Sequence, residues 1–427
     1  MKWHTPLLAL AVFPVHCLGE SGPQISTQLE LKTVLQIARE HNPQLKASKS
    51  EIAVARAERS EASRRPNPAF SLNAENYRLF RTNPGAFFQT QEITARIDQE
   101  VETGGKRRLR TQGAELKIHA QEANYENTAR RLRLQVTAAY LKGVLAQTNL
   151  GASEAVLEGV DQIIQLNRIR LENGDISRME LRRLEVERLR FVDDVFHFRL
   201  ALANAKSTLL TRLGAPFLTA TFHFSDTLPF TAEVLPTQEG ILLPSDLAEL
   251  ERQAMAQRPD LMAAIYQERW LDTETNRQRA IRSPNITVGA GYKRDLAENA
   301  VVFGLTIPLQ IFNRNKGGIA RALAERERAK SLAAQARNLI LLEVRKAFNA
   351  VEVNRERLGY IEKESLEKAK QSREIVREAY RLGGTDLINL LDAERAYQET
   401  LKTYNQARFD YRMSLYELAG AVGLEAN

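Results

Sequence analysis

Apolar residues recur along this chain in two rhythms. Over most of its length they step by three and four. Phe191, Val195, Phe198, Leu202, Ala205 and Leu209 form one such series. Tyr397, Leu401, Tyr404, Tyr411, Leu415, Leu418 and Val422 form a second, broken only by Arg408. Leu134, Ala138, Leu141 and Leu145 form a third. That spacing places one apolar seam along a helix and predicts coiled-coil packing. The fourteen prolines all fall outside two windows, 85–215 and 309–427. Proline inside a helix costs roughly 3 kcal/mol, so windows this long and this free of it predict long helices. A helix over residues 106 to about 172 would span ~100 Å, too long for a globular domain of this size. Near the middle of each window stand Asn173-Gly174-Asp175 and Gly383-Gly384-Thr385. These residues tolerate a left-handed cap, so each window is expected to fold back as an antiparallel hairpin with an exposed tip.

Before each long window the rhythm changes to alternation. Phe70, Leu72 and Ala74 alternate with polar neighbours, as do Ile93, Ala95, Ile97 and Val101. Ile286, Val288, Ala290 and Tyr292 alternate with Thr287, Gly289, Gly291 and Lys293. Val301, Phe303, Leu305, Ile307 and Leu309 complete the set. Four strands result, at about 69–77, 93–101, 285–293 and 301–309, each near the 9–11 residues that a tilted membrane strand needs. Four strands cannot close a barrel or protect their edges. They pack on the chain's own helices or several chains pool them, and three chains would supply twelve.

The two halves match in order. His41-Asn42-Pro43-Gln44-Leu45 corresponds to Gln257-Arg258-Pro259-Asp260-Leu261, and Pro66-Asn67 to Pro284-Asn285. Leu171-Glu172-Asn173-Gly174 corresponds to Tyr380-Arg381-Leu382-Gly383, and Gly214 to Gly423. Four matches in one order indicate a duplication. Residues 20–214 form the first repeat and 246–427 the second. The proline-rich stretch 215–245 between them has no helical period and reads as a linker against the outside of the body.

Composition narrows the function. Hydrophobic residues make up 43% and charged residues 26%, with a net charge of +7. Acids and bases interleave, which suits solvated helix faces better than a nucleic-acid groove. Lys2, the apolar run Leu7–Phe13 and Gly19 read as a signal peptide over 1–19. The single cysteine, Cys17, precedes the cut, and Pro14-Val15-His16 before it does not resemble a lipid-attachment site. Elsewhere no apolar run approaches the ~20 residues of a membrane-spanning helix. The six histidines (His4, His16, His41, His119, His197 and His223) lack ligand spacing, and so do the methionines. Gly104-Gly105-Lys106-Arg107 lacks the full phosphate-loop spacing and reads as a helix start. No set of residues suggests catalysis, a cofactor or a resident metal.

The chain resembles the TolC-like outer-membrane efflux factors over essentially all of its mature length. The resemblance rests on the duplication and the Asn-Pro-Gln-Leu and Arg-Pro-Asp-Leu helix starts. It rests also on Pro66-Asn67-Pro68 and on Glu102-Thr103-Gly104-Gly105-Lys106-Arg107. Val288-Gly289-Ala290-Gly291-Tyr292 and the run Ile307-Pro308-Leu309-Gln310-Ile311-Phe312-Asn313-Arg314-Asn315-Lys316-Gly317 look most like its heavy-metal, CzcC-type branch. The resemblance implies a mainly α fold with a small β part. It implies a homotrimer in the outer membrane of a Gram-negative cell, extending into the periplasm. Twelve pooled strands would form a barrel in lipid, and twelve long helical segments a tube. The tips, with Gly174, Gly383 and Gly384, would dock a periplasmic membrane-fusion adaptor attached to a proton-driven inner-membrane pump of the RND type. Glu180, Asn389 and Asp392 match positions near the periplasmic entrance, although Asn389 departs from the acid found in some relatives. The implied function is a passive duct for heavy-metal cations. The same duct carrying drugs, or a soluble periplasmic coiled coil, are the alternatives.

Overall fold

The computed structural model describes residues 28–75, 92–215, 221–225, 246–295 and 298–424. The expected signal peptide, Cys17 and most of the 215–245 linker lie outside the described residues. The chain opens with a short strand β1 (Gln28–Leu29), helix α1 (Leu31–His41) and helix α2 (Pro43–Ala62). Strands β2 (Ala69–Glu75) and β3 (Glu92–Val101) follow, then α3 (Lys106–Glu172) and α4 (Arg178–Leu213). After β4 (His223–Phe224) the same order recurs. It runs through α5 (Leu247–Gln257), α6 (Pro259–Ala280), β5 (Ile286–Asp295), β6 (Glu298–Thr306), α7 (Lys316–Tyr360), α8 (Glu367–Arg381) and α9 (Leu387–Val422). A π-helical segment, Ile361–Leu366, joins α7 to α8.

Helix α3 has 67 residues, about 100 Å at 1.5 Å per residue. Sequence reasoning expected the second window to be interrupted once, at its tip. The π segment is a further interruption, and only a widened backbone ladder distinguishes it, so the residues there carry no breaker. Around it, Leu358 and Ile361 pack on Ala407, Tyr411 and Leu415, and the Tyr404 hydroxyl donates to Glu362 Oε1 at 3.2 Å.

The seam on α9 holds from Tyr411 to Val422, where Tyr411, Leu415, Leu418 and Val422 are buried. On α3 the buried set is shifted. Leu132, Val136, Tyr140, Leu141 and Val144 fill the core, whereas the expected Leu134, Ala138 and Leu145 are only partly covered. α3 packs on α2, α4, α6 and α9 in turn. A helix with so many neighbours has no single seam, and a heptad count cannot choose among its faces. The described part of the linker contains the strand β4, which runs parallel to β1; Phe222 and Phe224 are buried in one core with Tyr140, whose hydroxyl donates to Leu29 O at 2.9 Å.

The four long strands form one antiparallel sheet in the order β2-β3-β5-β6. β6 begins three residues before the expected 301 and ends at Thr306, ahead of Pro308, which has no N–H to give to a ladder. β5 runs two residues beyond the expected 293.

Candidate functional site

Register decides what each face of the sheet carries. Ile97 pairs with Phe70 and Ala290, and Ala290 with Phe303. The same parity gathers Leu72, Ile93, Val101, Val288, Tyr292, Val301 and Leu305 onto this one face. Their side chains stand open, and Phe303 is 83% exposed. Near the β5–β6 turn this face turns polar, with Arg294 and with Tyr292, whose hydroxyl donates to Asn299 Oδ1.

The opposite face is acidic. The register brings Glu75, Glu92, Asp98, Glu100, Asp295 and Glu298 there, against only Arg96 and Lys293. Arg96 pairs with Asp98 at 2.7 Å, and Lys293 with Glu92 at 2.8 Å and Asp295 at 3.5 Å. Six carboxylates against two cations leave this face net negative on a chain that is net positive. Among the described residues the sheet also has two free edges, β2 and β6, each paired on one side only. A sheet that exposes an apolar face and two open edges is incomplete in water.

Two helices repeat the theme. Met179, Val186, Leu189, Phe196 and Leu200 form an exposed stripe on α4. Leu332, Leu339, Leu342, Val353 and Tyr360 form another on α7. α4 packs on α3, and α7 on α6 and α9, so the stripes occupy two different surfaces of the chain.

At the far ends of the hairpins the two tips are built alike. α3 closes with Gly174 at φ +83°, with Gly174 N–H donating to Leu171 O and Asp175 N–H to Arg170 O at 2.8 Å. α8 closes with Gly383 at φ +77°, with Gly383 N–H donating to Tyr380 O and Gly384 N–H to Ala379 O at 2.7 Å. Both are the paired-bond cap that a left-handed residue permits. Three residues after each glycine a side chain starts the return helix. Ser177 Oγ accepts from Glu180 N–H at 3.2 Å, and Asp386 Oδ1 from Asn389 N–H at 2.9 Å.

The structure therefore places Gly174, Gly383 and Gly384 in exposed turns. It gives Glu180 a local task, because its carboxylate accepts from Ser177 N–H at 2.9 Å and completes a capping box. Asn389 Nδ2 donates to Thr385 Oγ1 at 3.1 Å, and Asp392 pairs with Arg395 at 3.3 Å. Sequence reasoning missed the side chains that tie the two tips together. The Tyr380 hydroxyl donates to Asn167 Oδ1 at 2.6 Å, and Arg170 Nη1 to Tyr380 O at 3.3 Å. Across the hairpins Arg395 pairs with Glu187, and Lys402 with Asp194 at 3.1 Å, while inside the second hairpin the buried Glu394 carboxylate accepts from Arg377. Burial pushes the Tyr380 hydroxyl above its ordinary pKa, against the pull of the nearby Arg170 charge. Beneath them Val160, Ile164, Leu184, Leu387 and Leu390 make one apolar core from both hairpins. Partners some two hundred residues apart leave no local signal in a single sequence.

Among the described residues no group of three or more His, Cys, Asp or Glu side chains could hold a metal ion. No helix there is long and apolar enough to cross a membrane.

Comparison with known proteins agrees with this geometry. The family model described as outer membrane efflux protein matches residues 34–215 and 250–424. The cobalt-zinc-cadmium resistance protein CzcC of Cupriavidus metallidurans is 26% identical over 406 residues, covering 94% of this chain and 88% of CzcC. Among solved structures, CusC superposes with a TM-score of 0.76 at 19% identity over 92% of both chains. The CmeC outer membrane channel of Campylobacter jejuni superposes with a TM-score of 0.77 at 16% identity, over 92% of this chain and 85% of CmeC.

Proposed function

The chain belongs to the outer membrane efflux protein family, and from that premise we propose that it is the duct of a tripartite pump that exports heavy-metal cations. It is a channel and not an enzyme. In this reading residues 1–19 are a signal peptide, and residues 20–214 and 246–427 are two copies of one unit joined by 215–245.

The observation that carries the assembly is the unfinished sheet. Its two free edges differ, β2 on one side and β6 on the other, so the edge of one chain meets the opposite edge of the next. The apolar stripes on α4 and α7 are likewise two surfaces of one chain. Such head-to-tail contacts close into a ring when the rotation between neighbours allows it. Three chains give twelve strands, with the apolar face towards lipid and the acidic face around the lumen, and the hairpins continue as a tube into the periplasm. A soluble coiled coil has no use for so much exposed apolar strand. Among the described residues the tips are the paired reversals at the far end, and they dock a periplasmic adaptor attached to a proton-driven inner-membrane pump.

Cargo follows from charge and from kinship. The acidic sheet face favours cations by raising their local concentration. CzcC is a cobalt-zinc-cadmium resistance protein by name, and it aligns with nearly all of this chain. A strain lacking the gene should lose resistance to zinc, cobalt, cadmium, nickel or copper while keeping its resistance to drugs. Sensitivity to drugs alone would overturn the cargo and keep the duct. Crosslinking in mild detergent should give trimers, and a clean monomer or dimer would overturn the pooled barrel.

A further inference from the structure

All four junctions between helix and sheet lie at one end of the sheet, because the register sets Ala69 beside Asp98 and Val101 beside Ile286, with Thr306 beside Thr287. Hydrogen bonds tie the junctions to a common level. Arg110 Nη2 donates to Arg64 O at 3.0 Å, Lys106 Nζ to Ser283 O at 2.5 Å, and Gln310 Nε2 to Ile281 O at 2.8 Å. Each junction displays exposed cations. They are Arg64 and Arg65 after α2, Arg108 at the start of α3, Arg282 after α6, and Arg314 and Lys316 before and at the start of α7. The neighbouring Arg110 and Arg59 have carboxylate partners, Glu102 and Glu115. The six do not: none is within ion-pair distance of an acid among the described residues.

Beside these charges the chain leaves β6 through an open apolar loop. Leu309 and Ile311 are well exposed and Phe312 fully so, immediately before Arg314. Ile307 and Leu309 continue the odd-numbered parity of Val301, Phe303 and Leu305, the apolar face of the sheet. An apolar anchor bordered by unpaired cations at the end of an apolar band matches a boundary between hydrocarbon and anionic headgroups.

From this we infer that the sheet's helical end carries a binding surface for anionic phospholipid headgroups, with the Leu309–Phe312 loop seated among the acyl chains of the periplasmic leaflet. The inference rests on the barrel reading above and adds the class of lipid. The anionic headgroup is favoured over a second copy of the chain because the surface offers unpaired cations at all four junctions, whichever neighbour each one faces.

The test is native mass spectrometry of the full-length assembly, delipidated in detergent and then given phosphatidylglycerol, phosphatidylcholine or inorganic phosphate. Phosphatidylglycerol adducts are expected to exceed phosphatidylcholine adducts. Each cation near an anionic surface is worth roughly a five-fold change in binding. Arg314→Gln with Lys316→Gln should therefore cut phosphatidylglycerol binding by at least about an order of magnitude and leave phosphatidylcholine binding unchanged. Phe312→Ser should lower the binding of both lipids. Equal binding of the two lipids by the wild type, or full phosphatidylglycerol binding by the double variant, overturns the inference. So does binding of inorganic phosphate equal to that of phosphatidylglycerol, which would reduce the surface to an anion site. Assemblies that fall apart in the double variant would instead show that these cations pair with a neighbouring copy. Insertion into vesicles separates the two readings: failure to insert into phosphatidylcholine and phosphatidylglycerol vesicles alike sinks the barrel, whereas insertion with equal binding of the two lipids sinks only the lipid preference.

Discussion

The joints at which each short helix pair meets the end of its return helix invite comparison, because they do the same work with different chemistry. In the first half Asn42 stands before Pro43. Its Oδ1 accepts from Gln44 N–H at 2.9 Å and Leu45 N–H at 3.2 Å, and its Nδ2 donates to Arg212 O at 2.7 Å. In the second half Arg258 stands before Pro259. It donates to Ala421 O at 2.9 Å and pairs with Asp260 at 2.6 Å and Glu343 at 2.8 Å. Arg130 adds a hydrogen bond to Gly420 O at 2.9 Å. Arg212 and Ala421 hold equivalent places before the capping glycines Gly214 and Gly423. A neutral amide thus caps one joint, and a buried guanidinium with two carboxylates holds the other. The backbone task is shared, while its sensitivity to charge is not.

Arg258 is only 1% exposed, and its removal leaves Asp260 with the longer contact to Arg130 at 3.9 Å and costs the Ala421 carbonyl its donor. Arg258→Ala should lower unfolding stability by about 3 kcal/mol. Faster amide exchange should appear in α5, α6 and the last turn of α9 and spare the first half. A uniform loss across both halves would mean that the joints do not act separately.

The tips allow a second comparison, in which the two halves should behave alike. Gly174→Val and Gly383→Val each force a branched side chain into positive φ, at about 1–3 kcal/mol. Nothing lies within 4 Å of an added Cβ at Gly174, and only Arg170 Nη2, at 3.9 Å, at Gly383. The strain should therefore be conformational and equal at the two sites. Trimer formation and membrane insertion should survive, while adaptor pull-down and metal resistance fall. Failure to insert would make these folding residues.

Asn42→Ala should cost about 1 kcal/mol, the usual loss for a helix N-cap. Chemical denaturation would detect it, and a cost equal to that of Arg258→Ala would erase the distinction between the joints.

Acid provides the mildest probe. Burial alone would push the Asp260 carboxyl up, but the hydrogen bond and charge of Arg258 outweigh it and hold it below its ordinary value of 3.8. A carboxyl depressed on folding contributes stability above the unfolded value and loses it as pH falls through the folded one. Exchange protection around α6 and the end of α9 should therefore decline as pH drops from 5 towards 2. The Asn42 joint carries no such group and should keep its protection longer. Parallel decline in both halves would remove Asp260 as the cause.

Much of this was written in local pattern. The proline-free windows and the two glycine turns foretold the hairpins, because a helix interior excludes proline and a left-handed cap selects glycine. Alternation foretold four strands, because the side-chain period of a strand is two. Gly174, Gly383 and Gly384 were legible for the same reason. Glu180 was read only as an entrance position, although its capping box with Ser177 is a local pattern that the sequence itself carries.

What the chain alone determined is which segments are helix, strand or turn, and that one face of each strand is apolar. These follow from interactions within a few residues. Tertiary structure decided which face of α3 is buried, since four neighbours compete for it. It also decided the meeting of Tyr380 with Asn167 and of Arg395 with Glu187, the gathering of six acids on one face, and the collection of unpaired cations at the foot of the sheet. Those depend on register and packing between residues two hundred or more positions apart, where no periodicity reaches.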